Sequence, residues 1–206
     1  MPLFSTMAAM DLIDAFASNE AVPGGGSASA LAGAVGTALL IMVAAMPKTR
    51  TGTAEETADL AEAEARLRPL RNELTGLIDR DSEVYATVVA ARRLSKGTDE
   101  EKAARVAAIQ SGTRLATEVP LDTMRACRQA LHGAVVVARN GSRNAASDVG
   151  VAIELLMAGL KGAGLNVDIN LGELTDQAFV ARAQRERQEL EREGSADADK
   201  ARAALS

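Results

Sequence analysis

Apolar residues recur along most of this chain every three or four positions, the spacing that gives a helix one buried face. Met10, Ile13 and Phe16 follow Ser5 and Thr6, which predicts a first helix capped by one of those hydroxyls and running to about Asn19. Pro23 and three glycines interrupt the pattern. From Ser27 to Met46 there is no charge, which predicts a helix buried all round and ended by Pro47. Thr53 with Glu56 forms a capping box that opens a long helix to about Leu94, with a kink expected at Pro69. Thr98 with Glu101 forms a second box, opening a helix to about Glu118, and Pro120 is expected to open another to about Arg139. The run NGSRN marks a turn. A further helix is predicted from about Ala145 to Lys161, then a short extended passage from Asn166 to Leu171. A last helix begins near Thr175, and its Arg182–Glu193 stretch alternates charge in the manner of a solvated face.

These elements predict an all-α, single-domain antiparallel helical bundle with a buried small-residue central helix. Residues 1–194 form the domain and 195–206 a flexible or partly helical tail. Composition sharpens the picture. The chain has 206 residues, no Trp, one Tyr and three Phe, so alanine, leucine, valine and glycine build the core and helices can approach closely. A formal charge of −5 with few aromatics argues against nucleic acid. Cys127 stands alone in a helical pattern and reads as a small core residue. With one His and one Cys, no usual zinc site can be assembled, and no metal is expected. The apolar stretch is long enough to span a bilayer. Its wealth of Ala and Gly, and the lack of flanking aromatics, favour the centre of a bundle over a membrane span. The N-terminus lacks the basic and apolar regions of a signal peptide, so a cytoplasmic location is expected.

Four segments could carry chemistry. In PGGGSASALAG, the glycines Gly24, Gly25 and Gly26 with Ser27 precede the apolar helix. They leave bare N–H groups at its positive end, open to a carbonyl or carboxylate, and the turn is expected to need positive φ. The alternative is a tight turn plus close helix packing. In LIDRDSEVY, Asp81 falls inside the apolar stripe between Leu77 and Tyr85, whereas Asp79 points to a polar face with Ser82 and Glu83. Burial would raise the Asp81 pKa toward the range useful for proton transfer. It could equally be a structural Asp satisfied by Tyr85 or a facing backbone group. In NGSRNAASDVGVA, Asp148 can cap a helix or meet a ligand, and capping is the better reading of the residues alone. In NVDINL, Asn166 can satisfy a turn or read the edge of a heterocycle.

Together the segments resemble the cyclodeaminase/cyclohydrolase family. That family includes the cyclodeaminase part of formiminotransferase-cyclodeaminase and free-standing methenyltetrahydrofolate cyclohydrolases. The resemblance rests on PGGGSASALAGAVGTAL, LIDRDSEVY, KGTDEEKAAR, EVPL, NAASDVGVA and NVDINL, in the family's order and spacing. The chain departs from the family in PKTRTG, where a basic-aromatic run at the entrance is usual and only Lys48 and Arg50 remain. It also departs at Ser142, Ser95 and Tyr85.

The resemblance implies a homodimeric enzyme acting on a tetrahydrofolate that carries a one-carbon unit between N5 and N10. No cofactor is bound permanently. The expected reaction is hydrolysis of 5,10-methenyltetrahydrofolate to 10-formyltetrahydrofolate. The alternatives are formimidoyltetrahydrofolate cyclodeamination with release of ammonia, or folate binding without catalysis. These 206 residues include no transferase domain, which tilts the expectation toward the hydrolase. Asp81 is implied as the catalytic carboxylate with Asp79 in reserve. Gly24, Gly25, Gly26 and Ser27 would lie along the ligand, and Asn144, Asp148 and Asn166 would hold the pterin. Lys48, Arg66, Arg68 and Arg71 are candidates for the glutamate tail.

Overall fold

The computed structural model describes residues 3–205. Among them run α1 (Ala9–Ala17), α2 (Gly25–Ala44), α3 (Ala54–Arg92), α4 (Asp99–Asn140), α5 (Ala146–Leu171) and α6 (Gln177–Leu205), with short 3-10 turns at Phe4–Thr6 and Arg143–Ala145. Helices α2, α3, α4 and α5 form the bundle, and α6 lies along α4 and α5. Both capping boxes form: the Thr53 hydroxyl accepts from the Glu56 N–H, and the Thr98 hydroxyl from the Glu101 N–H.

Helix α2 sits against α3, α4 and α5 because its small residues allow it. A Cβ on Gly33 would stand 2.6 Å from Cys127 Sγ, and one on Gly36 would stand 2.8 Å from the Ala152 carbonyl oxygen. Such contacts would force the helices apart. Cys127 is a core residue as expected, and burial pushes its thiol up to about 12. Helix α2 is long and apolar enough to cross a membrane, and just over half of it is buried in the bundle.

The structure corrects several expectations. Pro120 does not open a helix; it lies inside the continuous α4. A mid-helix proline cannot donate to the carbonyl four residues back. Here that carbonyl, on Ala116, accepts instead from Asn170 Nδ2 of α5 at 2.7 Å. Asn166–Leu171 is therefore not extended but the last turns of α5, and its second amide repairs the proline break in α4. Pro69 lies within a continuous α3 on an exposed face, where water can reach the carbonyl it leaves unpaired.

The first helix begins at Ala9 rather than after Ser5 or Thr6, with no side-chain cap. The expected flexible or partly helical tail is helix through Leu205, with Asp197, Ala198 and Ala201 buried. Buried Asp197 meets His132 Nδ1 of α4 at 3.1 Å and Lys200 Nζ at 2.8 Å, which ties α6 to the bundle.

Candidate functional site

Two pairs of contacts fix how α3 passes α2. Gly33 lies against Leu74, and Gly26 against Asp81, so seven residues along one helix match seven along the other in the opposite direction. This antiparallel register carries Asp81 to the N-terminus of α2, where the helix presents unpaired N–H groups and the positive end of its dipole. There the Ser27 N–H donates to Asp81 Oδ2 at 2.9 Å, and the Ser27 hydroxyl lies 3.0 Å from the same oxygen.

The other oxygen, Oδ1, faces Gly26. A Cβ on Gly26 would stand 2.1 Å from it, so only glycine admits the carboxylate here. Burial pushes the Asp81 carboxyl above its ordinary value, and the two Ser27 hydrogen bonds partly oppose that rise. One oxygen is therefore held by Ser27, while among the described residues no hydrogen bond holds the other.

Asn166 joins this end from α5. Its amide lies beside Gly25, where an added Cβ would be 3.6 Å from Nδ2, and that Nδ2 donates to the Gly162 carbonyl at 2.9 Å. Gly24, the N-cap of α2, has extended backbone rather than the positive φ expected of this turn. Among the described glycines only Gly52 has positive φ.

Tyr85 was expected on a buried stripe but is 45 % exposed. It lies one turn past Asp81 on α3, beyond the start of α2, so α2 does not cover it. Ser82, expected on a polar face, is fully buried and within 3.2 Å of the Ser27 hydroxyl. Helical spacing misplaced it because α2 packs across that side of α3.

Of the other expected residues, Asp79 and Ser27 stay at this end of the bundle but are committed to protein partners, and the rest lie elsewhere. Asp79 accepts hydrogen bonds from the Ser5 N–H and hydroxyl, which pins the N-terminal turn to α3. Ser27 is wholly buried, so its hydroxyl belongs to Asp81 rather than to a ligand surface. Lys48, Asn144 and Asp148 lie at the far end of the bundle, beyond the C-terminus of α2 and around the start of α5. They are roughly 30 Å from Gly25 by the rise of the intervening helix.

Asp148 does not cap α5, whose N-cap is Ala145 with no side-chain bond; it adds charge to the first turn. Within one chain the PKTRTG run is a turn organised by Glu56, at the end of the bundle remote from Asp81. Thr49, Thr51, Gly52 and Thr53 converge on Glu56, whose carboxyl is held at about 2, chiefly by the Thr49 hydroxyl. Arg50 donates to the Ala138 carbonyl at 2.9 Å. Arg66 and Arg68 pair with Glu62 and Glu64 on their own helix.

A large concavity of about 1080 Å³ lies between α3 and α4, lined by Arg66, Leu70, His132 and Arg139 among others. Leu70 is eleven residues from Asp81, about 16 Å along the axis. The carboxylates that line it, Asp59 and Glu62, are exposed rather than partly buried like Asp81, so size alone does not make it the reaction centre.

The formiminotransferase-cyclodeaminase family model matches residues 8–189. A methenyltetrahydrofolate cyclohydrolase from Methylorubrum extorquens is 44% identical over 168 residues, covering 82% of this chain and 81% of that protein. The formimidoyltransferase-cyclodeaminase of Gallus gallus is 32% identical over 167 residues, covering 81% of this chain but 31% of that longer protein. The crystal structure of a formiminotetrahydrofolate cyclodeaminase from Thermotoga maritima superposes with a TM-score of 0.86 at 25% identity, covering 97% of this chain and 96% of that one. With the order of its motifs, its helical bundle and the glycine-fronted carboxylate, this chain belongs to the formiminotransferase-cyclodeaminase family.

Proposed function

We propose that this protein is a tetrahydrofolate one-carbon enzyme that hydrolyses 5,10-methenyltetrahydrofolate to 10-formyltetrahydrofolate, with Asp81 moving the protons. The observation that carries the reading is Asp81 itself, tethered through Oδ2 to Ser27 and open at Oδ1 beside Gly26. Hydrolysis requires water to add to a cationic carbon between two nitrogens, then N5 to leave. Asp81 Oδ1 takes a proton as water attacks and returns one to N5 as the ring opens. The second proton of the former water is released as the formyl carbonyl forms. A carboxylate also stabilises the cationic carbon before attack. The chemistry asks for no resident cofactor. Cyclodeamination passes through the same carbon, with N10 attacking and ammonia leaving, and is the second reading because relatives of that name share the family.

A spectroscopic assay with both folates, run side by side, tests this. Turnover of the methenyl compound with little release of ammonia from the formimidoyl compound is expected. Faster ammonia release selects the deaminase. Binding of both without turnover selects a non-catalytic relative, and neither binding nor turnover rejects the folate reading.

The working unit in this proposal is a homodimer paired through α2 and α5. On α2, Ala28, Leu31, Val35, Ala38 and Met42 recur at three- and four-residue steps with partly or fully exposed side chains. On α5, Val151, Leu155, Ala158, Leu165 and Ile169 lie on one such face, with Gly162 filling the step between Ala158 and Leu165. The two helices are neighbours, so these stripes form one long apolar face, and such faces on soluble proteins are normally covered. A two-fold axis crossing the middle of α2 would set the partner's far end, with its copies of Lys48, Asn144 and Asp148, beside Asp81. Light scattering at micromolar concentration is expected to show a dimer, and Val35→Glu a folded monomer. A wild-type monomer rejects the dimer, and a Val35→Glu dimer rejects this face.

A further inference from the structure

The hydroxyl of Ser27 has one proton and three partners. The Ile78 carbonyl oxygen lies at 2.8 Å, Asp81 Oδ2 at 3.0 Å and Ser82 Oγ at 3.2 Å. Ser27 and Ser82 are both fully buried, so neither hydroxyl can turn to solvent to satisfy itself. A serine hydroxyl rotates freely about its C–O bond but donates only once at a time. From this geometry we infer that the Ser27 hydroxyl is a rotor that follows the protonation of Asp81, with Ser82 as the fixed donor behind it.

With Asp81 ionised, Oδ2 is the strongest acceptor in reach and takes the Ser27 proton beside the Ser27 N–H. With Asp81 protonated on Oδ1, Oδ2 is a weaker acceptor and the hydroxyl swings to Ile78, whose carbonyl has a second lone pair beyond its helical bond. In both states Ser82 donates to Ser27 Oγ. No covalent bond changes at either serine; the proton that moves belongs to Asp81. A carboxyl that must accept and return a proton in each cycle thereby changes charge in a partly buried setting with one hydroxyl rotation on its Oδ2 side. Reorganisation of that kind is where buried charge is costly.

Few charges near Asp81 compete with the serine. Helix α2 contributes none, Asn166 of α5 is neutral, Asp79 is turned to Ser5, and Arg80 pairs with Asp122 at 3.5 Å. Ser27 and Ser82 are thus positioning residues acting through Asp81.

The inference rests on Asp81 being the working carboxylate, so its test reads Asp81 both with and without substrate. Carbon-13 NMR of aspartate carboxyls follows the Asp81 titration in the free protein, assigned by Asp81→Asn. The pH–rate profile follows it in turnover. Ser27→Ala is expected to move the titration and the rising limb of the profile to higher pH by about one unit, the scale of one hydrogen bond to a charged group. Folate affinity should be unchanged. Ser82→Ala should move both in the same direction by less. The double variant should match Ser27→Ala alone, because Ser82 acts only through Ser27. An unmoved titration with only a lower Tm makes the serines structural and overturns the inference, as do additive shifts. A weaker KM with no pH shift places Ser27 on the ligand and overturns it as well. If the NMR shift appears but no folate is turned over, the relay stands and the folate reading falls.

Discussion

Asp81→Asn is expected to lower turnover by about a hundredfold or more, the usual loss when a general acid–base is removed, while the protein stays folded. Asparagine keeps the shape and can accept the Ser27 N–H, but it cannot carry the proton. The stability side has a definite sign. Burial raises the Asp81 pKa in the fold above its unfolded value. The folded state therefore holds the proton more tightly, and the stability this gives is complete below the unfolded pKa and lost as pH rises through the folded one. Above that folded pKa the ionised Asp81 burdens the fold, so there Asp81→Asn should leave Tm unchanged or raise it. A structural role predicts the reverse, with near-full activity or a loss that tracks Tm. The matched control is Asp79→Asn. Asp79 holds Ser5, so its replacement should loosen the N-terminal turn and lower Tm slightly while turnover changes little. Kinetics and melting curves on both variants decide; a larger catalytic loss at Asp79 would move the assignment there.

Gly26→Ala should be the next most damaging change. Alanine is the better helix former by about 1 kcal/mol, but its Cβ would stand 2.1 Å from Asp81 Oδ1. The carboxylate must swing out of its seat, at an overpacking cost of about 1–3 kcal/mol. The two effects oppose each other, so stability should fall only modestly. Activity has no such compensation and should fall nearly as far as in Asp81→Asn. Gly25→Ala is the comparison. Its Cβ would meet Asn166 Nδ2 at 3.6 Å, an ordinary contact, and activity should survive. Full turnover in Gly26→Ala would mean that Asp81 Oδ1 is not the reacting oxygen.

Sequence periodicity located the helical segments, both capping boxes and the oddity of a carboxylate on an apolar stripe, because local spacing and capping chemistry are written in neighbouring residues, although it split α4 at Pro120 and read the end of α5 as extended. Asp81 and the glycine turn were legible for that reason. It misjudged elements whose fate depends on a distant partner. Pro120 reads as a helix start until Asn170 is seen to satisfy the carbonyl it orphans. Ser82 reads as exposed and Tyr85 as buried until α2 is seen to cover one side of α3 and stop short of the other. The roles of Asp79 and Ser27 depended on Ser5 and Asp81, each more than fifty residues away.

The motifs read along the sequence as one site, but within one chain the antiparallel course of α2 and α5 sets Lys48, Asn144 and Asp148 at the opposite end from Asp81, and in the proposed dimer the partner's copies complete it. A helix about 30 Å long separates residues that are close in sequence and joins others that are far apart. The sequence by itself determined most of the helical segments, the two capping boxes and the carboxylate with its glycine turn. The tertiary structure alone decided which oxygen of Asp81 is free, which serines hold it and which glycine makes room, since those follow from the register between helices and not from the pattern along one.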